Sequence, residues 1–505
     1  MIYKFDSFWS YLGNEPDDVV QKAKNALTCP EFNYITEQYT DIKFWLPHSN
    51  ILGVETIKFP TGLCEYVAQK TGCQIEHKKT QYDQYSPSDV QAIAKEVQKV
   101  FPGFEVRDYQ RDLTMASVDK YSSMIVSATG SGKSSVMTML TMLWKNKRII
   151  VTNNQNFILK QIYDRFLAMG ISKDEIATGT TDLSKRIVII STQTAYNRIK
   201  SQDPEFVEYL KGVEVIIADE MQHYQSISNF SMLFYTPNLQ HLVGYTGSPF
   251  RNPKNPYNNA TDMTTIALFG EPAITYSMED SIANQNIATP YSYFINYDCY
   301  SMDYIKGADF FIQYNKCIVY NKQRNKAGIE VLRFLDANNI KTLALFRIVK
   351  KHGLPILKEL KQYGVRALFL QGGETIYEYD DKLKLKSRKG NIDDIKKALH
   401  EDGYNIILAS QVMDEGVDIS SFQAGVLFTG GKSAIKIIQQ TGRVSRAKSS
   451  GENISLVVDF NDSKINSMFK NQYMSRKMTL KKNGVIELQS LQDMVNIVNR
   501  MKGAN

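Results

Sequence analysis

The octapeptide Ser127-Ala128-Thr129-Gly130-Ser131-Gly132-Lys133-Ser134 has the residue types that can hold a polyphosphate. Glycines at 130 and 132 let successive backbone N–H groups of the Thr129–Gly132 turn point inward at phosphate oxygens. A helix beginning at Lys133 would add positive potential there. Lys133 would sit over the β- and γ-phosphates and Ser134 would ligate Mg²⁺. One departure from G-x-x-x-x-G-K-[ST] is that Ser127 stands where the first glycine is usual. Further along, Val215-Ile216-Ile217-Ala218 runs into Asp219-Glu220. Asp219 would hold the metal through water, and Glu220 would polarise an attacking water as general base. An Asp-Glu pair after an apolar run is common by itself; following a phosphate loop it points to ATP hydrolysis. A third cluster, Gln439-Gln440-Thr441-Gly442-Arg443-Val444-Ser445-Arg446, sets two arginines three apart. They can share one face at a helix start and neutralise charge spread over the equatorial oxygens of a loose phosphoryl transition state. The bland alternative for them is a surface helix with ordinary ion pairs.

Such groups need a scaffold that aims them. The phosphate loop follows the strand-like Met124-Ile125-Val126 and precedes Val136 to Leu140, which reads as a helix. Around it, short β-rich runs alternate with helical patterns. One set is 124–126, 148–151, 187–190, 215–218 and 242–245; a second is 343–346, 367–370, 406–409, 426–428 and 456–459. Runs apolar throughout and separated by helices read as parallel strands with crossover helices. Two α/β domains are expected, near 95–260 and 326–465, with a Pro/Asn-rich loop at 252–256.

The 505 residues allow three or four domains at roughly 100–200 residues each. With 43% hydrophobic and 22% charged residues, the composition is that of an ordinary globular protein. The net charge of +7 is a weak pull toward a polyanionic partner. It is unevenly spread, −4 over residues 1–90 and +6 over 464–505. No apolar run reaches the ~18 residues of a membrane span, and Met1 to Asp6 does not read as a signal peptide. The five cysteines form no C-x-x-C pair, which argues against zinc and disulfide frameworks and fits a reducing cytoplasm. Residues 1 to about 90 are aromatic-rich and carry no catalytic signature. Glu76-His77-Lys78 matches only the end of a nuclease core, a pattern frequent by chance.

With Asp219-Glu220-Met221-Gln222-His223 in place, the chain resembles a superfamily 2 helicase, and further motifs follow in order. Phe104-Glu105-Val106-Arg107-Asp108-Tyr109-Gln110 is similar to the adenine-reading Q motif, with Gln110 hydrogen-bonding adenine and Arg107 or Tyr109 packing on it. Ser191-Thr192-Gln193-Thr194 resembles motif Ic, which implies strand contacts by Thr192 and Gln193. Gly244 to Arg251 resembles motif III, and Phe346-Arg347 with His352-Gly353 resembles motif IV, implying a nucleic-acid contact by Arg347. Ser410 to Asp418 resembles motif V, with Ser410 toward nucleic acid and Gly416 and Asp418 toward nucleotide. Gln439 to Arg446 matches motif VI; Gln439 would line the γ-phosphate face, and the family pattern favours Arg446 over Arg443 as the arginine finger. Gln222 departs from the Asp or His usual at the fourth position of motif II, and motif Ia is loose.

The resemblance implies an α/β fold: two RecA-like parallel-sheet domains in tandem with a small α+β N-terminal module. Expected boundaries are 1–92 for an accessory, candidate DNA-binding module, 93–260 and 326–465 for the RecA-like domains, 261–325 for a connecting segment, and 466–505 for a basic extension. It also implies ATP and Mg²⁺ as cofactors, and DNA as partner, whether single-stranded, forked or a junction. Leu268 to Ala273 with Ser281 to Pro290, and Phe44 to Leu63 in the N-terminal part, resemble the phage UvsW-type fork-remodelling helicases. Branch migration or unwinding, 3′ to 5′, beside phage recombination or replication proteins in the host cytoplasm, follows as an expectation. Two alternatives stand: a duplex translocase that does not separate strands, and an ATP-gated nucleic-acid clamp. Arg476-Lys477-Met478-Thr479-Leu480-Lys481-Lys482 reads as a basic segment that could contact a nucleic-acid backbone, or as a solvated helix face.

Overall fold

The computed structural model describes all residues except 5–7, 34–37, 50–54, 78–83, 129, 180–181, 299–309, 373–374, 391, 411–421, 432–452 and 503–505. It divides into two compact units, Met1–Ser127 with Gly132–Tyr276, and Ser277–Asn505 with Ala128–Ser131.

The first unit is built on a seven-stranded parallel sheet. Its order is Ile176–Thr178, Ile187–Ser191, Ile149–Asn153, Val215–Asp219, His241–Thr246, Ser122–Ser127, Pro272–Tyr276. The strands at 149–153, 187–191, 215–219 and 241–246 are buried at every position, which is why their central residues read as apolar runs. Helices Pro87–Val100, Asp108–Val118, Lys133–Leu143 and Asn156–Ala168 cover one face, with Ile93, Val97, Leu113, Val136 and Ile162 in a common core. The boundary expected at 92 falls inside helix Pro87–Val100. Ser86 caps that helix in a capping box with Asp89, and Ile93, Ala94 and Val97 bury together, so it is one piece and belongs to the sheet domain.

The N-terminal module is α+β, as expected. A five-stranded sheet, in the order Leu46–Ser49, Glu55–Pro60, Trp9–Leu12, Ile2–Lys4, Ile75–His77, packs with helices Asp17–Ala26 and Cys64–Thr71. The module shares its core with the other face of the parallel sheet: Ile2, Val20, Ile57, Phe59 and Val67 cluster with Met124, Ile150, Met263 and Ile266. At Gly62 a Cβ would overlap the carbonyl oxygens of Ile266 and Ala267, and Tyr66 stacks on Tyr257 with ring centroids 3.8 Å apart. The module is therefore seated directly on helix Ala260–Phe269. Gly62→Ala is expected to cost about 1–3 kcal/mol through this overlap, measured as a lower unfolding midpoint with faster proteolysis near the N-terminus. An unchanged midpoint would contradict the seating.

The second unit carries a nine-stranded sheet. Its order is Leu385–Lys389, Thr375–Tyr379, Ala367–Gln371, Ile406–Ser410, Thr342–Phe346, Ala424–Leu427, Ile454–Phe460, Thr289–Ile295, Ile486–Glu487. Neighbours are parallel except where Thr375–Tyr379 pairs with the strands on either side. The stretch expected to be a connector, 261–325, instead gives helix Ala260–Phe269 and strand Pro272–Tyr276 to the first unit and strand Thr289–Ile295 to the second.

The supposed C-terminal extension is likewise part of the second unit. Helix Leu491–Lys502 buries Met494, Ile497, Val498 and Met501 in the sheet's core, and Ile486–Glu487 is a strand of the sheet. Arg476, read as part of a surface basic segment, is interior at 2% exposure. Its guanidinium binds Asp459 at 2.6 Å and Asp462 at 2.9 Å. Lys477 pairs with Glu487 at 2.6 Å. Only Lys481 and Lys482 of that segment's basic residues are exposed, at a helix C-terminus where positive charge complements the dipole. Among the described residues, no helix is long and apolar enough to cross a membrane.

Candidate active site

Strands Ser122–Ser127, Val215–Asp219, Ile149–Asn153 and His241–Thr246 bring their carboxyl ends to the same edge of the first sheet. That edge is where open parallel sheets bind ligands. The loop after Ser127 turns through Gly130 at φ +87° and Gly132 at φ +83°, backbone conformations that favour glycine. At Gly132 a Cβ would also overlap Gln110 Nε2. Ser131 is buried, and Thr129 lies outside the described residues. Lys133 opens helix Lys133–Leu143 and its Nζ donates to the Ser127 carbonyl at 3.3 Å. Ser134, half-buried, occupies the next position of the same turn.

Asp219 ends its strand at 8% exposure. Asn153 Nδ2 donates to its Oδ2 at 3.2 Å, while Oδ1 is buried without a hydrogen-bond partner among the described residues. Burial, reinforced by the neighbouring Glu220, pushes the Asp219 carboxyl up to about 7, with Lys133 pulling the other way. A buried carboxylate oxygen with no donor, next to a phosphate loop, fits a divalent cation held directly or through water. Asp219 and Ser134 would hold Mg²⁺, which supplies neutralisation of phosphate charge when bound.

Glu220 takes φ +50°, a left-handed conformation rare for a residue with a side chain. Gln222 Nε2 donates to Glu220 Oε2 at 2.8 Å, and Gln222 is itself buried. The residue that departs from the common motif thus orients the candidate base. Met221 is packed onto the next strand: a Cβ at Gly244 would sit 2.5 Å from Met221 Sδ. The strand of Gly244 ends at Thr246, whose Oγ1 accepts the Ser248 N–H at 3.0 Å.

Gln110 is buried at 3% exposure, and its Oε1 accepts the backbone N–H of Arg107 at 3.0 Å. Placed against Gly132, it braces the phosphate loop in addition to the adenine role expected of it. Arg107 is exposed and reaches the Tyr109 hydroxyl at 3.4 Å. Tyr109 in turn stacks on Tyr276, with centroids 4.0 Å apart and planes within 2°. Sequence reasoning missed Tyr276; the only available signal was its place at the end of a β-rich run.

Of the expected strand contacts in this unit, Thr192 is buried at 2% exposure, so Gln193 is the one a ligand can reach. Ser191 caps their helix by accepting the Thr194 N–H at 3.1 Å. In the second unit Arg347 is exposed at the end of strand Thr342–Phe346, its guanidinium 5.0–5.3 Å from the rings of Phe310, Phe311 and Tyr314. Ser410 is buried, and its Oγ accepts the Gly372 N–H at 3.1 Å. Gly416, Asp418, Gln439, Arg443 and Arg446 lie outside the described residues.

Residues 90–251 match the family model for the Type III restriction enzyme res subunit, and 313–448 match the helicase conserved C-terminal domain. The protein named Putative helicase 22, from Sulfolobus islandicus filamentous virus (isolate Iceland/Hveragerdi), is 24% identical over 461 residues, covering 85% of this chain and 75% of that protein. The DNA 3'-5' translocase XPB2 of Sulfurisphaera tokodaii is 24% identical over 369 residues, covering 68% and 79%. Among solved structures, a leucine-to-valine variant of S. cerevisiae Dbp5 bound to RNA and ADP BeF3 aligns with TM-score 0.56 at 12% identity, over 81% of this chain and 97% of that one. T4 UvsW aligns over 96% of this chain and 98% of its own, at 17% identity and TM-score 0.44. The two family models follow one another in chain order, one largely within each compact unit, and the chain belongs to the superfamily 2 helicases: an ATP-binding, DNA-dependent ATPase with two RecA-like domains in tandem.

Proposed function

We propose that the protein uses ATP hydrolysis to translocate on DNA and to unwind or remodel forks and junctions in phage replication and recombination. The observation that carries the ATPase step is Glu220, held by Gln222 beside the cation-ready Asp219. In this reading Gly130, Ser131, Gly132 and Lys133 bind the phosphates, and Gln110 and Arg107 the base. Asp219 and Ser134 hold Mg²⁺, and Glu220 takes the proton of the attacking water. Gln439, Arg443 and Arg446 complete the γ-phosphate face, with Gly416 and Asp418 on the nucleotide side. Gln193 and Arg347 are the exposed candidates for strand contact. The branched-DNA part is supported by the order of segments 268–290 and 44–63 and by the module seated on helix Ala260–Phe269. The working place is then the cytoplasm of an infected host, beside phage recombination or replication proteins.

The Sulfurisphaera tokodaii relative is named a DNA 3'-5' translocase, which favours translocation as the core activity; the second reading is a translocase that moves on duplex without separating strands. ATPase and strand-displacement assays across single strands, duplex, forks and four-way junctions separate the two. Stimulation by branched DNA with released strands is expected. Stimulation by plain duplex with no strand released would replace the first reading by the second. ATP binding with no turnover on any DNA would leave only the clamp.

A further inference from the structure

One side of the second sheet ends in a hairpin that the helicase motifs do not use. Strand Thr375–Tyr379 runs back antiparallel to Ala367–Gln371, then turns through Asp380–Lys384 into Leu385–Lys389, the outermost strand. All five residues of that edge strand are exposed. The turn is tightly made: the Asp380 carboxylate accepts the N–H groups of Lys382 at 3.0 Å and Lys384 at 2.9 Å, and Leu383 sits at φ +56°. Those backbone bonds, with Lys386 nearby, hold the Asp380 carboxyl below the usual carboxylate range, so it stays charged.

The charge on this edge is one-sided. Lys382, Lys384, Lys386, Arg388 and Lys389 are all exposed. Lys386 lies 3.7 Å from Asp380 and Arg388 lies 3.2 Å from Asp394. Asp381 is taken by Lys361 at 2.7 Å. Lys382, Lys384 and Lys389 have no ion-pair partner among the described residues. Lys386 and Arg388 share one face of the strand, and Lys384 carries the row into the turn. Alternate residues on a strand are about 6.6 Å apart, near the separation of successive phosphates along an extended nucleic-acid strand.

Lys389, on the opposite face of the strand from Lys386 and Arg388, marks where the edge ends. Lys389 pairs in register with Thr375, close to where the hairpin leaves Gly372, whose N–H is bonded to Ser410 at the head of motif V. The basic edge therefore runs up to the carboxyl ends of the sheet. Its competing explanation is protection of an open edge, since exposed lysines on an outer strand oppose pairing with another chain.

We propose that Leu385–Lys389, with Lys382 and Lys384, is a contact surface for a nucleic-acid phosphate backbone, running along the sheet edge to the end at which Ser410 lies. This rests on the reading that the protein moves on DNA. Neutralising phosphates releases counterions, so each contact sets part of the salt dependence of binding.

The test uses the full chain with K382Q/K384Q/K389Q, which removes the unpaired charges and leaves the ion pairs intact, and K382R/K384R/K389R as the charge-conserving control. Binding to a labelled single-stranded oligonucleotide and to a four-way junction is titrated across salt. The plot of log K against log salt should flatten by roughly 0.7 per lost contact on single strands and 0.9 on duplex arms. The arginine control should keep the wild-type slope, and ATPase without DNA should be unchanged in both. A wild-type slope in the glutamine variant, with normal wild-type DNA binding, overturns the inference and leaves the helicase reading standing. If that variant also self-associates in sedimentation, the lysines are edge guards. Failure of the wild-type protein to bind either DNA at any salt overturns the proposed function and this surface with it.

Discussion

Glu220→Gln is expected to bind ATP with near wild-type affinity and to hydrolyse it about 10²–10⁴-fold more slowly in the presence of DNA, the loss typical of removing a positioned general base. The substitution keeps the shape of the side chain and leaves an oxygen for the Gln222 amide, now 2.8 Å from the carboxylate, to bond. What disappears is the capacity to take a proton from water. Lys133→Ala should differ: it removes the cation that opens helix Lys133–Leu143 beside the phosphate loop, so ATP binding and turnover fall together. Steady-state ATPase with DNA, paired with equilibrium binding of a fluorescent ATP analogue, reads the two effects separately. Wild-type turnover in Glu220→Gln would move the base to another residue.

Asp462→Ala should destabilise the second unit by about 3–5 kcal/mol, because it strips one partner from a buried charge network. Asp462 Oδ1 accepts from Arg324 Nε at 2.9 Å and from the Tyr297 hydroxyl at 2.8 Å, while Oδ2 accepts from Arg476 at 2.9 Å. Burial opposes the charge on Asp462, and the two arginines overcome it, holding the carboxyl below its usual range. Without it, Arg324 at 0% and Arg476 at 2% exposure would be left with Asp459 as their carboxylate, 2.6 Å from Arg476 alone. The same two arginines also bond the carbonyls of Phe428 and Gly431, so the turn after strand Ala424–Leu427 should loosen too. A drop of roughly 6–20 °C in the unfolding transition of the second unit is expected. A shift within a degree or two would mean that the network contributes almost nothing to stability.

Much of the motor could be read along the chain because its signals are contiguous. Ser127 to Ser134 is one strand–loop–helix segment, so residue types and spacing suffice to state its chemistry. Ile187–Ser191 and Val215–Asp219 are legible as strands because burial on both faces makes every position before the last apolar. The edge strands are not. Leu385–Lys389 has no buried position, and hence no periodic signal to distinguish it from a loop. Pro272–Tyr276 is exposed or half-buried at all positions but the last.

The features missed or misjudged all depend on partners far apart in sequence. Arg476 read as surface charge because the segment around it is basic. Only the fold brings Asp459 and Asp462 to it, converting an exposed cation into an interior one. Gln222 departs from the common motif, and only the fold sets its amide on Glu220; Gln110 likewise lies against Gly132, a contact that the spacing of the two residues does not announce. Sequence alone determined the ATP chemistry and the alternating α/β order, since both follow from local residue types and from periodicity of burial. Tertiary structure decided which charges are buried, which edges stay open and which small module is fused to the motor's core. Those outcomes are set by desolvation and contact with non-local neighbours, to which a residue's own type and spacing carry no reference.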